Sequence, residues 1–99
     1  MQGIDGHIIA TRTREFVSYY ELKVEAGTNG YCGGDSGHGS RTYIKISQGG
    51  GMDFRVNVRT NGFGQCKELE IILGGDRELK DIIDTLKFIT STLEDQAND

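Results

Sequence analysis

The chain has 99 residues, a formal net charge of −4 and 35% hydrophobic residues, which together predict one domain with a modest core. No apolar run approaches the roughly 20 residues that a membrane-spanning helix needs, and the first residues lack the charged start and apolar stretch of a signal peptide. We therefore expect a single domain over residues 1–99, a cytoplasmic location and no membrane partner.

The charge is spread unevenly along the chain. Residues 1–66 carry seven basic and six acidic side chains, whereas residues 67–99 carry four basic and nine acidic ones. Binding along a nucleic-acid backbone needs a basic surface with many contacts, so extended nucleic acid is not an expected partner. A small anionic ligand needs only two or three well-placed cations, and the first part of the chain supplies them.

Alternation of apolar and polar residues predicts an antiparallel sheet of four or five strands, over about residues 7–73. The pattern occurs at residues 20–26, 42–46, 52–58 and 69–73, and a shorter first strand is expected around residues 7–11. The run at 52–58 is the most regular. Because the connections are short, neighbouring strands are expected to form hairpins.

The period changes to that of a helix over about residues 76–94. Asp76 is predicted to cap this helix. Apolar residues at spacings of three and four form one stripe, consisting of Leu79, Ile82, Ile83, Leu86, Ile89 and Leu93. The predicted fold class is α+β, with one C-terminal amphipathic helix packed on one face of the sheet. The polar face of the sheet is left as a solvated face, a dimer surface or one wall of a ligand site.

The glycine-rich segment at residues 27–41, GTNGYCGGDSGHGSR, is where function is expected. Six of its fifteen residues are glycine, which adds little to a core. Glycine does allow close backbone approach and clustered N–H groups, which suit an anion or a nucleotide. The segment lies between two predicted strands, so we expect a donor-rich loop that holds a phosphorylated ligand.

The GDSG motif at residues 34–37 also surrounds the nucleophile of chymotrypsin-like proteases. The chain is too short for two barrels, and Asp5, His7 and Ser36 do not follow the His, Asp, Ser order of those enzymes. The G-x-S-x-G elbow is absent as well. Hydrolysis through Ser36 and His38 is therefore disfavoured, and we expect no enzyme activity and no catalytic residues.

No cofactor or metal is expected either. The chain has neither the phosphate-loop motif nor the dinucleotide motif. Cys32 and Cys66 are its only cysteines, and their spacing matches no standard zinc site. Two reduced thiols are the simpler interpretation.

The residue types around the loop indicate roles in holding a nucleotide. Arg41 and the loop N–H groups would hold phosphate, with a second arginine as another cation. An aromatic ring would stack on a base, and a carboxylate or hydroxyl would contact a base edge. The predicted ligand-binding residues are Tyr31, Asp35, Ser36, His38, Arg41, Tyr43, Arg55 and Arg59.

The string YYELKVEAGTNGYCGGDSGHGSRTYIKI at residues 19–46 resembles a stretch of short phage-encoded sponge proteins. These proteins sequester nucleotide second messengers of bacterial immunity, such as those of CBASS. The resemblance implies a homo-oligomer in the host-cell cytoplasm that binds a cyclic nucleotide without cutting it. A homo-oligomer is also expected because one helix on one sheet face leaves apolar surface to cover.

Two alternatives stay open. The chain can instead be a phage protein–protein inhibitor, similar to an anti-CRISPR protein, that acts through its acidic helix or the polar face of its sheet. The glycine-rich segment can also be a long hairpin loop that binds nothing.

Overall fold

The described part of the chain forms a four-stranded antiparallel sheet with a C-terminal helix packed against it. The computed structural model describes residues 1–17, 21–31, 39–50, 52–58 and 62–98. The elements in these ranges are β1 (Gln2–Ile4), β2 (His7–Ile9), β3 (Thr11–Val17), β4 (Glu21–Thr28), β5 (Arg41–Gln48), β6 (Arg55–Val56), β7 (Gly64–Gln65), β8 (Glu68–Gly74) and α1 (Asp76–Ala97).

The strand order in the main sheet is β3-β4-β5-β8, and each neighbouring pair is antiparallel. The predicted strands at 20–26, 42–46 and 69–73 correspond to β4, β5 and β8, and the predicted helix corresponds to α1. The α+β class with one C-terminal helix is therefore confirmed.

The register of the strands gives the main sheet one apolar face. Val24 lies opposite Ile46, and Ile44 lies opposite Ile71, so their side chains point to the same side. The apolar face consists of Leu22, Val24, Ile44, Ile46, Leu69, Ile71 and Leu73. The buried residue of α1, Leu79, lies against Gly30, where a Cβ would be only 2.9 Å from the Leu79 side chain.

The β1–β2 hairpin covers part of the opposite face. Its turn is made by Asp5 and Gly6, both with positive φ, and its residues Ile4 and Ile9 form a buried cluster with Tyr43. From the sequence, this face is expected to be a solvated face, a dimer surface or one wall of a ligand site. None of these three alternatives describes the region around Tyr43. Its ring is a core side chain rather than part of an exposed polar surface.

Glycine at position 27 permits the hairpin to approach the sheet. A Cβ on Gly27 would collide with the carbonyl oxygen of Ala10, at the point where the chain passes from β2 into β3. A side chain at this position would therefore hold the hairpin away from Tyr43.

The prediction of a long strand at residues 52–58 is wrong. Only β6 is strand there, and it pairs with β7 in a separate two-stranded sheet. The edge of β5 that a hairpin partner would need is occupied by β8. Alternation of apolar and polar residues shows only that one side of a segment is polar. It does not show with which strand that segment pairs.

A carboxylate fastens the hairpin to β4 and makes stability depend on pH. Glu25 accepts hydrogen bonds from Thr11 Oγ1 (2.6 Å) and Gln2 Nε2 (3.3 Å), and these bonds, Thr11 first, hold the pKa of Glu25 below its usual value of 4.5. A lowered pKa in the folded state stabilises the fold above the unfolded-state value, and this stabilisation is lost as the pH falls through the folded-state value.

We predict that Thr11→Val makes the free energy of unfolding less dependent on pH in the acid range. The substitution removes the hydrogen bond that contributes most to the lowered pKa of Glu25. Urea denaturation of both proteins at a series of pH values from neutral to below 4.5 measures the slopes. Equal acid slopes would contradict the assignment.

Candidate functional site

The two ends of the glycine-rich segment meet at the first turn of α1. The backbone N–H of Tyr31 donates to Asp76 Oδ1 (3.3 Å), and the hydroxyl of Ser40 donates to the same oxygen (2.9 Å). We call Tyr31, Ser40 and Asp76 the loop clasp. Ser40 is fully buried, and its carbonyl oxygen accepts from the N–H of Gly75 (2.9 Å). One carboxylate therefore ties both ends of the segment to the helix.

The prediction that Asp76 caps α1 is wrong. The N-cap residue is Gly75, and it makes no side-chain cap hydrogen bond. Asp76 is the first residue of the helix, and its carboxylate accepts from the Tyr31 N–H and the Ser40 hydroxyl. The positive end of the helix dipole favours a negative charge at this place, so the clasp and the helix stabilise the same carboxylate.

Side-chain hydrogen bonds extend the β4–β5 pairing to the clasp. Asn29 Oδ1 accepts from the N–H of Arg41 (2.8 Å), and the hydroxyls of Thr28 and Thr42 lie 3.0 Å apart. The N–H of Gly30 donates to Thr28 Oγ1 (3.1 Å). These bonds fix the backbone on both sides of the segment.

We call residues 28–31 and 40–42, at the two ends of the glycine-rich segment, the loop base. Arg41 joins the loop base to the β1–β2 hairpin. Its Nε lies 3.0 Å from Asp5 Oδ2, and its Nη1 donates to the carbonyl oxygen of Ser40 (2.8 Å). The Arg41 side chain is 22% exposed and that of Asp5 is 63% exposed. Because the Asp5 carboxylate is accessible, solvent screens its attraction to Arg41, and an anion with better geometry can displace it.

Tyr31 lies on the other side of the clasp. Its side chain is 49% exposed, and its backbone has a left-handed φ of 51°, which its hydrogen bond to Asp76 helps to hold. The structure therefore brings two of the predicted ligand residues, Tyr31 and Arg41, to one loop base.

Tyr43 does not belong to this accessible group. It is 2% exposed, and its hydroxyl donates to Glu70 Oε2 (2.6 Å). Burial, together with this hydrogen bond, raises the pKa of Tyr43 above its usual range. The predicted stacking of a base on Tyr43 does not fit a ring that lies beneath Ile4 and Ile9.

The remaining predicted ligand residues lie elsewhere. Arg55 is in the separate β6–β7 sheet, where its Nε lies 3.0 Å from Asp53 Oδ1. Four of the predicted residues fall outside the described residues, namely Asp35, Ser36, His38 and Arg59. Sequence reasoning missed the contributions of Asp5 and Asn29, although Asp5 followed by Gly6 is a turn signal that points to the hairpin.

Comparison with known proteins gives no relative from which to transfer a function, because no family model, curated protein or solved structure matches the chain. Within the described ranges, no three His, Cys, Asp or Glu residues are grouped to hold a metal ion. No helix in the same ranges is long and apolar enough to cross a membrane.

Proposed function

We propose that this chain is a non-enzymatic binding protein that sequesters a cyclic oligonucleotide second messenger of bacterial antiphage immunity, in the cytoplasm of the infected cell. The observation that carries the proposal is the loop clasp, because one carboxylate fixes both ends of a donor-rich segment between an exposed aromatic ring and an arginine. The resemblance at residues 19–46 supplies the ligand class.

The roles follow from the positions at the loop base. The guanidinium of Arg41 is a forked donor suited to phosphate, and its partner Asp5 is exposed enough to give way. The Tyr31 ring offers a stacking surface, which contributes about 1–3 kcal/mol per base. The fixed backbone at Thr28, Asn29 and Ser40 reduces the ordering that binding requires.

The hydroxyl of Ser40 at the loop base belongs to the loop clasp and is not placed to act as a nucleophile. Ser40 is fully buried and donates to Asp76. A catalytic serine needs an exposed oxygen that donates to a general base beside the reacting atom. Ser40 therefore has a structural role.

Isothermal titration calorimetry against cyclic di- and trinucleotides tests the proposal. We expect at least one member to bind the wild-type protein, and Arg41→Gln to weaken its binding by roughly ten- to a hundredfold, because a charge-assisted contact to phosphate is lost. The matched control is Arg77→Gln, which removes an exposed arginine from the first turn of α1 and should leave the affinity unchanged. No binding of any member at high micromolar concentration would contradict the proposal.

The variant Asp5→Asn separates the two roles that Arg41 can have. If its guanidinium binds phosphate, removing the competing carboxylate should tighten binding by several-fold. If Arg41 only tethers the hairpin, the substitution lowers the free energy of unfolding and leaves the calorimetric affinity unchanged, which would contradict the phosphate role.

A further inference from the structure

The apolar stripe of α1 is largely uncovered within one chain. Its first member, Leu79, is buried, but Leu86, Ile89 and Leu93 are 46%, 44% and 60% exposed. The helix has 22 residues and is therefore about 33 Å long. Most of its backbone contacts to the main sheet are with β8 and β5, on the side of the sheet away from β3.

The sheet presents a matching surface on its β3–β4 half. Among the described apolar side chains of the apolar face, none is fully buried. A shallow groove lies along β3 and β4 on the same side. We call it the β3–β4 groove, and its lining residues are Arg12, Thr13, Arg14, Phe16, Val24 and Ala26.

The surface of the chain exceeds that of a self-sufficient monomer of its size. It exposes 7490 Å² for a mass of 10.9 kDa, whereas folded monomers of this mass expose about 5600 Å². Its radius of gyration of 15.3 Å likewise exceeds the roughly 12.6 Å typical of 99 residues.

Charge indicates which surface the helix would meet. Apart from Asp76 in the loop clasp and the ion pair of Lys80 with Asp84, the helix carries four acidic and two basic side chains. The β3–β4 groove is flanked by exposed Arg12 and Arg14, and the guanidinium of Arg14 lies 4.5 Å from the centre of the Phe16 ring. An apolar helix with acidic neighbours fits an apolar groove with basic edges.

We propose that two copies of the chain form a symmetric dimer in which α1 of each copy lies in the β3–β4 groove of the other. The contact is self-complementary, since every chain supplies one helix and one groove, as a two-fold interface requires. The inference goes beyond the proposed ligand binding and does not depend on it.

Light scattering coupled to size-exclusion chromatography tests the dimer with the full chain and no added ligand. We expect the wild-type protein at twice 10.9 kDa. Leu86→Glu and Phe16→Lys, one on each side of the contact, should raise the dissociation constant of the dimer at least about a hundredfold. Both side chains are already exposed in a single chain, 46% and 42%, so the far-ultraviolet circular dichroism should stay unchanged.

The matched control is Phe88→Glu. Phe88 is 71% exposed, and two positions along a helix turn by about 200°, so it points away from Leu86. This variant should remain a dimer.

A wild-type monomer at about 100 μM, an assembly of more than two copies, or dissociation by Phe88→Glu would overturn the proposal. Dissociation by Leu86→Glu but not by Phe16→Lys would also overturn it, because the helices would then pair with each other. Should Leu86→Glu fail to fold, Phe16→Lys decides.

Discussion

Replacing Asp76 with alanine is expected to lower the free energy of unfolding by about 1–3 kcal/mol, the typical cost of removing the acceptor of a buried hydrogen-bond donor. The substitution removes the acceptor of both the buried Ser40 hydroxyl and the Tyr31 N–H. The two ends of the glycine-rich segment then separate from α1, so the affinity for any ligand held there should fall as well. Urea denaturation and calorimetry of the same samples measure the two effects.

The control for this prediction is Glu78→Ala. Glu78 is also an acidic residue of the first helical turn, and it is exposed. Its loss removes a favourable charge near the positive end of the helix dipole, which is worth about 0.3–1 kcal/mol, and should leave ligand binding intact. Equal destabilisation by the two variants would show that Asp76 acts through its charge alone and would contradict the loop clasp.

Tyr43→Ala is expected to lower the free energy of unfolding by about 3–5 kcal/mol, as is typical when a large buried side chain is removed. The ring is the part of the sheet on which Ile4 and Ile9 pack. Its loss should release the β1–β2 hairpin, which faster hydrogen exchange of the β1 and β2 amides would reveal. Tyr43→Phe keeps the packing and removes only the hydrogen bond to Glu70, so its effect should be near 1 kcal/mol.

The variant Tyr31→Ala distinguishes an effect on the stability of the fold from an effect on ligand binding. The Tyr31 side chain is half exposed, and its clasp hydrogen bond comes from the backbone. The free energy of unfolding should therefore change by no more than about 0.5 kcal/mol, whereas the affinity for a stacking ligand should fall by about tenfold or more. A large loss of stability without loss of affinity would assign Tyr31 to the fold rather than to the ligand.

The elements that could be predicted are those whose local pattern agrees with their place in the fold. The alternation in β4, β5 and β8 matches the apolar face, and Leu79, the first residue of the predicted stripe, is the buried residue of α1. Of the β1–β2 hairpin, the sequence predicted only a short strand around residues 7–11, which overlaps β2, because strands of three residues are too short to show a period. The error at residues 52–58 was the reverse, because a long strand was predicted there that does not form. Their alternation is clear, but it cannot reveal that β8 already pairs with that edge of β5.

The candidate site was predictable in its residue types and not in its connections. The glycine-rich segment pointed to Tyr31 and Arg41, and both lie at the loop base. Asp76 accepts hydrogen bonds from Tyr31 and Ser40, which lie 45 and 36 positions earlier in the chain. These contacts depend on the path of the whole chain. A carboxylate just before an apolar helix normally predicts a cap. The same limit applies to Tyr43, whose burial depends on a hairpin contributed by the first nine residues.

Mass spectrometry of the small molecules released by denaturing the purified protein tests the binding function most directly. The protein would be isolated from bacterial cells in which a cyclic-nucleotide immune signal is being made, beside the Arg41→Gln variant. We predict that the wild-type protein releases an intact cyclic nucleotide in a near-stoichiometric amount and that the variant releases far less. Release of a cleaved nucleotide, or of no nucleotide from either protein, would contradict sequestration at the loop base.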